Sequence, residues 1–349
     1  MKDLDAREAT HDQPLTKQAT NPVMAEVTRG VMVESRHRAA VAVVDAGGQV
    51  VLSAGDIERP VYARSAIKSL QAIPFIESGA ADAFGVSDPE IALACASHAG
   101  EPRHVETVLA WLERIGCSVE DLQCGAHLPN NTAAAHALIA RGAEPSAAHN
   151  NCSGKHAGFL TLARHLNAPT GDYLRHEHAV QQRVLGVLES MAGLDLGDAP
   201  RGIDGCGIPV IGMPLSNLAL AMARLADPHD QPDARQAACA RIRTAMTAEP
   251  FMVGGTGSYC TRAIEASRGR ALIKTGAEGV YCGALPELGL GLALKVDDGA
   301  ERAAEAIVGR LLRRFEAIGP DEAGFTTHPI YNRAGREVGE VRAPEGAPF

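Results

Sequence analysis

At 349 residues the chain holds about two domains' worth of sequence and can bury a large core. A hydrophobic fraction of 46%, with 36 Gly and 20 Pro, excludes the disordered and fibrous classes, and no apolar stretch approaches the ~20 residues that span a bilayer. A net charge of −9 and 4% aromatic residues offer neither the basic surface nor the stacking side chains that nucleic acids require, so no nucleic acid and no membrane is expected as a partner.

Residues 1–21 are polar and unpatterned and are expected to form a flexible tail. They lack the apolar centre of a signal peptide, which predicts a cytoplasmic protein. Short β-prone runs follow at 27–33, 39–44 and 50–52, with a turn at 45–48, and read as an antiparallel meander. From 65 to about 250 the pattern is helical, with helices predicted over 65–72, 89–94, 102–115, 132–140, 153–166, 175–192, 216–226 and 233–247. Pro74 is expected to break the first of these. Strands return at 271–274, 279–283 and 291–296, followed by a helix over 301–317 and a hairpin around 331–335. Because neither β-rich end (22–64 or 251–349) completes a sheet alone, an α/β (α+β) arrangement is expected: one antiparallel sheet built from both ends, with the helical part 65–250 inserted, in a single catalytic domain over 22–349.

The chemistry is concentrated in a few segments. Only 6 of the 33 basic residues are Lys, and a Lys in a Gly- or Ser-containing segment is notable because it can lose its proton whereas Arg effectively cannot. Ser65 and Lys68 stand three apart, a spacing that shares one helix face and lets an amine serve as base for a hydroxyl. The plainer reading of this pair is a helix cap beside a solvated Lys. Lys274 opens a Lys-Thr-Gly strand end, which in Ser-x-x-Lys acyl-transfer enzymes lies beside the nucleophile helix; a strand-to-turn transition is the alternative. Ser97, in the segment ASHAGE at 96–101, is a second candidate hydroxyl within reach of Lys68 or Lys274. The 8 Cys form no C-x-x-C pair and no disulfide is expected. The segment HNNCSGKH at 149–156 and GIDGCGIP at 202–209 offer Cys152 and Cys206, with Lys155 or His156, as zinc ligands, but on spacing alone two buried thiols are the plainer reading. A triad from Ser65 or Ser97, His98 or His156, and Asp204 stays open, since triads are defined by geometry.

Taken in order, the segments RSAIK (64–68), ASHAGE (96–101), CGAH (124–127), HNNCSGKH (149–156), GIDGCGIP (202–209) and GGTG to KTG (254–276) resemble the Rhizobium etli-type, class 3, L-asparaginases. The likeness runs from about residue 22 to the C-terminus. It implies a serine β-lactamase and penicillin-binding-protein-like fold, a homodimer, and hydrolysis of L-asparagine to L-aspartate and ammonia. It further implies that Ser65 with Lys68, and Ser97 with Lys274, form two Ser–Lys pairs. Zn2+ is implied at Cys152, Lys155 and Cys206, with Asp204, Arg64 and His156 at the substrate. Ser65 is then expected to attack the side-chain amide once Lys68 accepts its proton, with the Ser97–Lys274 pair returning a proton to the leaving ammonia. Zinc is expected to orient the substrate rather than to generate hydroxide. A glutaminase, a penicillin-recognising hydrolase, and a non-catalytic zinc- or redox-responsive binding protein are the competing expectations.

Overall fold

The computed structural model describes residues 20–349, so the expected tail lies outside the described residues apart from its last two. Of those, Asn21 is buried: its amide donates to Asp297 Oδ1 at 2.8 Å and its Oδ1 accepts from the Asp56 N–H at 2.7 Å.

Strands β1 (Val23–Arg29) and β2 (Met32–Asp45) form a hairpin across Gly30 and Val31, where the sequence suggests one run over 27–33. Gly30 supplies the left-handed turn at φ 56°, which costs little without a Cβ. Then come β3 (Val50–Ala54) and β4 (Pro60–Tyr62). The helical middle holds α1 (Lys68–Glu77), α2 (Ala80–Ala83), α3 (Asp88–Ala94), α4 (Pro102–Arg114), α5 (Thr132–Ala140), α6 (Ser153–His165) and α7 (Ala179–Ala192). A small sheet interrupts it, with β5 (Arg201–Ile203) and β6 (Pro209–Pro214) joining β4 in the order β4-β6-β5. Helices α8 (Leu215–Ala226), α9 (Asp233–Ala248), α10 (Pro250–Gly254) and α11 (Tyr259–Ser267) follow, so the helical part runs on to 267 rather than ending at 250 as expected. The chain ends with β7 (Leu272–Gly276), β8 (Val280–Leu285), β9 (Leu290–Val296), α12 (Glu301–Arg314), β10 (His328–Tyr331) and β11 (Glu337–Arg342).

The main sheet runs β10-β11-β1-β2-β9-β8-β7, with β3 also on β2, and every pair in it is antiparallel. It is therefore built from both chain ends, as expected, with the helical region inserted between them. The long strand β2 makes this possible. Its first half pairs β1 and its second half is flanked by β9 and β3. Helix α8 packs on one side of the β2-β9-β8 centre while α12 packs on β1, β8 and β9, so β8 and β9 are buried almost throughout. Their near-continuous apolar runs, rather than an in-out alternation, follow from being covered on both faces.

Helix α1 does not stop at Pro74, which lies inside it. The ring removes one helical hydrogen bond, a cost of about 3 kcal/mol; it is offset here by burial of every residue from Lys68 to Ile76 among α6, α7 and α9. Among the described residues no helix is long and apolar enough to cross a membrane.

Strand β9 meets α8 at Gly291, where an added Cβ would sit 2.0 Å from Ala219 O and 2.1 Å from the Ala223 nitrogen. Both obstacles are helix backbone and cannot rotate away. Gly291→Ala is accordingly expected to destabilise the fold by about 3 kcal/mol, the upper range of overpacking, read as a lower urea midpoint at unchanged m-value.

Candidate active site

The site begins where β4 gives way to α1. Residues Arg64–Ile67 form a single 3-10 turn, and Arg64 takes φ 51°, a left-handed conformation that a non-glycine residue adopts only when its surroundings hold it there. Its Nε donates to Asp204 Oδ1 at 2.7 Å, which ties the turn to the β5–β6 connection. Strand β7 docks onto the same turn because Gly276 has no side chain: a Cβ there would lie 2.6 Å from Ala63 O and 3.1 Å from the Ala66 nitrogen. This close approach brings Lys274, two residues earlier on β7, in beside the segment that carries Ser65.

Ser97 comes from the loop after α3. Its N–H donates to Val253 O at 3.1 Å and the next residue's N–H to Asn151 O at 3.2 Å, so α10 and the segment before α6 clamp the loop from two sides. The Ser97 hydroxyl accepts from Lys274 Nζ at 2.9 Å and from Lys68 Nζ at 3.1 Å. Both lysines are essentially fully buried. Lys68 also donates to Ala96 O, and lies 3.1 Å from Cys152 Sγ and 3.4 Å from Asn151 O. Lys274 also donates to Thr275 O at 2.8 Å. Burial, aided by the Lys68 charge, pushes the Lys274 amine down to about 8, so near neutrality part of it is free to accept a proton.

The structure thus brings the four predicted serines and lysines into one region, but with a different wiring from the i,i+3 argument. Among the described residues, the amine of Lys68 is hydrogen-bonded to Ser97, and the Ser65 hydroxyl has no hydrogen-bond partner. Both serines line one cavity of about 630 Å3. Its walls add Asn130, Asn131, Thr132 and Asn151 on one side, and Thr256, Ser258, Thr275, Glu278 and Glu301 on the other. The loop bearing Thr256 is fixed by Glu101, whose carboxylate accepts from the Thr256 N–H and hydroxyl, each at 2.7 Å.

The cysteine cluster lies beneath Lys68. Lys155 Nζ is 3.0 Å from Cys206 Sγ, and the Cys206 thiol donates to Cys152. That hydrogen bond, with the charges of Lys68 and Lys155, holds the Cys152 thiol well below its ordinary range despite burial, while the same bond and burial push Cys206 up. Burial opposes charge on Lys155, but Cys152, Cys206 and Asp204 outweigh it and raise the amine. Burial likewise opposes charge on Asp204, and Lys155, Arg64 and the Gly205 N–H outweigh it, holding the carboxyl below its usual range. A thiolate, a second sulfur in contact with it and an adjacent amine form a soft donor set that suits zinc. Among the described residues no three His, Cys, Asp or Glu side chains gather into a ligand group, so a third donor to a metal there would have to be Lys155, after giving up its proton.

The histidines are committed elsewhere. His98 Nδ1 accepts from the Gly100 N–H at 3.1 Å, which leaves the proton on Nε2 to be given to Ser153 Oγ at 2.8 Å. Burial keeps the ring neutral, well below its ordinary range. His156 is fully buried with Nδ1 hydrogen-bonded to the Tyr173 hydroxyl at 2.7 Å, and that hydroxyl also accepts from the Gln123 N–H. Asp204 faces Arg64. The members of a Ser-His-Asp triad are therefore not brought together, and neither Asp204, Arg64 nor His156 is among the residues lining the Ser65–Ser97 cavity. Sequence reasoning did not single out Asn130, Asn131, Glu278 or Glu301. The doubled Asn at 130–131, before a helix and after Pro129, was the one local signal available.

Comparison with known proteins adds the following. Among solved structures, Mglu in its native form is 15% identical, with 85% of this chain and 68% of that chain covered at a TM-score of 0.46. A β-lactamase from Mycobacterium bovis is 14% identical, covering 79% and 94% at 0.38. A Bacillus glutaminase is 14% identical, covering 80% and 91% at 0.42. No curated protein matches the chain. The family model described as L-asparaginase II matches residues 25–343, a span that takes in both serines, both buried lysines beside them and the cysteine cluster, and so the chain belongs to the L-asparaginase II family.

Proposed function

We propose that this protein is an L-asparaginase that hydrolyses L-asparagine to L-aspartate and ammonia through a serine ester. The observation that carries the reading is the Ser97 hydroxyl held between the amines of Lys274 and Lys68, at 2.9 and 3.1 Å, on the wall of a cavity it shares with Ser65. A hydroxyl is a poor nucleophile until a base takes its proton. Here Ser65, with its unengaged hydroxyl, attacks the amide carbon; its proton passes to Ser97 as the Ser97 proton passes to the neutral amine of Lys274. The same relay run backwards protonates the leaving nitrogen, and water then resolves the β-aspartyl ester with the relay again taking a proton. The positive charge of Lys68 steadies the Ser97 oxygen throughout. Arg64, adjacent to Ser65 in sequence, and Asp204, paired with it at 2.7 Å, are assigned to the amino-acid end of the substrate, which they would have to meet from outside the present cavity lining, and His156 is assigned a supporting place through its buried contact with Tyr173. Cys152, Lys155 and Cys206 would hold zinc, which when bound supplies a positive charge and an open coordination position for orienting the substrate. Under this reading the enzyme works as a cytoplasmic homodimer.

The test is ammonia release by the purified, zinc-supplied protein on L-asparagine beside L-glutamine. Asparagine should be favoured by roughly 10- to 200-fold in kcat/KM, the discrimination that one methylene provides in a simple pocket. Chelation should raise KM for asparagine more than it lowers kcat. No release from asparagine ends the reading, and a preference for glutamine converts it to a glutaminase. A fall in kcat alone on chelation would remove zinc from substrate orientation.

A further inference from the structure

Beside Lys274, and adjoining the main cavity along Ser97, Gly254, Ser258 and Thr275, lies a second chamber of about 60 Å3. Its lining includes Lys274, Tyr281 and Glu305, and Ser97 and Glu301 line both this chamber and the main cavity. The volume admits a few water molecules, and the lining supplies the polar partners that buried water needs. Glu301 and Glu305 are one helical turn apart at the start of α12, so both point to the same side of the helix. Tyr281, opposite Thr275 in the β7–β8 register, lines the chamber together with Glu305.

We propose that this chamber is a water-bridged proton path from Lys274 to Glu305, and that Glu305 is a positioning residue that resets Lys274 between turnovers. The proposal rests on the amidohydrolase reading above. The need for it follows from the reaction's balance. An amide and water give a carboxylate, neutral ammonia and one proton: the C–N bond breaks, a C–O bond forms, and the new carboxylic acid ionises inside the site. That proton lands on Lys274, which must lose it before the next attack. Glu305 has the right surroundings to receive it, because burial and the neighbouring Glu301 raise its carboxyl to about 7, just below the amine at about 8. The groups facing Glu305 are Glu301 on its own helix, Tyr259, Cys260 and Arg262 on α11, Tyr281 on β8, Lys274 across the chamber, and His328 on β10, whose Nδ1 is 3.8 Å away. Burial lowers His328 below its ordinary range, so it does not fix Glu305 as a permanent ion pair. Exposed Glu301 stands where the path reaches the main cavity.

Glu305→Gln keeps the shape and a side-chain oxygen but cannot take a proton. It should lower kcat by up to about 100-fold, the lower range for a group that moves a proton, with KM within about twofold. The loss should be restored by raising the concentration of imidazole buffer, to which the unaltered protein is indifferent. A loss that buffer does not restore, or an unchanged rate, overturns the proposal. A second measurement does not depend on turnover. In an infrared titration the unaltered protein should show a protonated-carboxyl band that vanishes as pH rises through about 7, is absent in Glu305→Gln, and changes its midpoint in Lys274→Met. If the protein were silent on asparagine the amidohydrolase reading would fall, while this titration would still decide the chamber. A midpoint indifferent to Lys274→Met overturns the path.

Discussion

Replacing Ser65 by Ala is expected to cut ammonia release from L-asparagine by roughly 1,000-fold or more, with Ser97→Ala close behind, because groups that act as one unit in proton transfer and attack are each nearly indispensable. The two variants should differ in what they trap. A slow acylating substrate should leave an adduct on Ser65 in the unaltered protein and in Ser97→Ala, mapped by peptide mass, and none in Ser65→Ala. The assignment rests on the contrast between a hydroxyl with no partner on the cavity wall and one committed to two amines at 2.9 and 3.1 Å. An adduct on Ser97 would exchange the two roles and leave Lys274 as the direct base. Unfolding curves of the two variants provide the control. Ser65→Ala removes a half-buried hydroxyl with no partner and should lose no more than about 1 kcal/mol of stability, whereas Ser97→Ala removes the acceptor shared by two buried amines and should lose up to about 3 kcal/mol.

Lys274→Met is expected to have an effect of similar size, about 1,000-fold in kcat, because it removes the amine poised to accept the serine proton. The pH profile tests the same residue without mutation. A base works only when unprotonated, so kcat/KM should rise with pH through the Lys274 value of about 8 and fall about tenfold for each unit below it. Stability should follow the same group in a defined direction. The folded amine releases its proton near 8 and the unfolded one near 10.5, so between those values the unfolded chain holds more protons and stability rises with pH. Lys274→Met should abolish that rise, measured as the difference in urea midpoint between pH 7 and pH 10. A rate profile flat across pH 8 in the unaltered protein would exclude Lys274 as the base.

The β-rich ends and the helical middle were legible because the hydrophobic pattern changes period where the structure does, as at residues 291–296 and again at α12. Some elements that escaped carried breaker residues: β4 begins at Pro60, and β6 begins and ends on proline; α11, nine residues with neither Gly nor Pro, escaped because it lies in a stretch read as part of the β-rich end. Pro74 misled in the opposite sense, since dense packing around α1 outweighed the ring's local cost. In the site, the serines, lysines and cysteines were legible as residue types at particular spacings. What the spacing could not give was the direction of a long side chain. Lys68 shares a face with Ser65 along the chain, yet its amine turns to the Ala96 carbonyl and Ser97, groups supplied by a loop about thirty residues on. Asn130, Glu278 and Glu301 reach the cavity from separate loops and a helix start, and no local pattern marks residues that meet only in three dimensions.

The pairing of β2 with β9, in which Ala39 lies opposite Val296, sets an order on how the molecule can come into being. On the ribosome, the N-terminal hairpin emerges long before its central neighbour exists, and the helical middle has to be made while the sheet it packs against is still incomplete. Pairings so distant in sequence close large loops before any contact rewards them, and so form slowly. The reactive centre inherits this schedule. Ser65 and Lys68 are synthesised early and Lys274 late, so the first of these side chains cannot acquire its catalytic surroundings until most of the chain has been translated. A nascent or truncated chain ending before β7 is therefore expected to be inert and to expose the edge of β2 to other chains, the kind of unpaired strand on which aggregation begins.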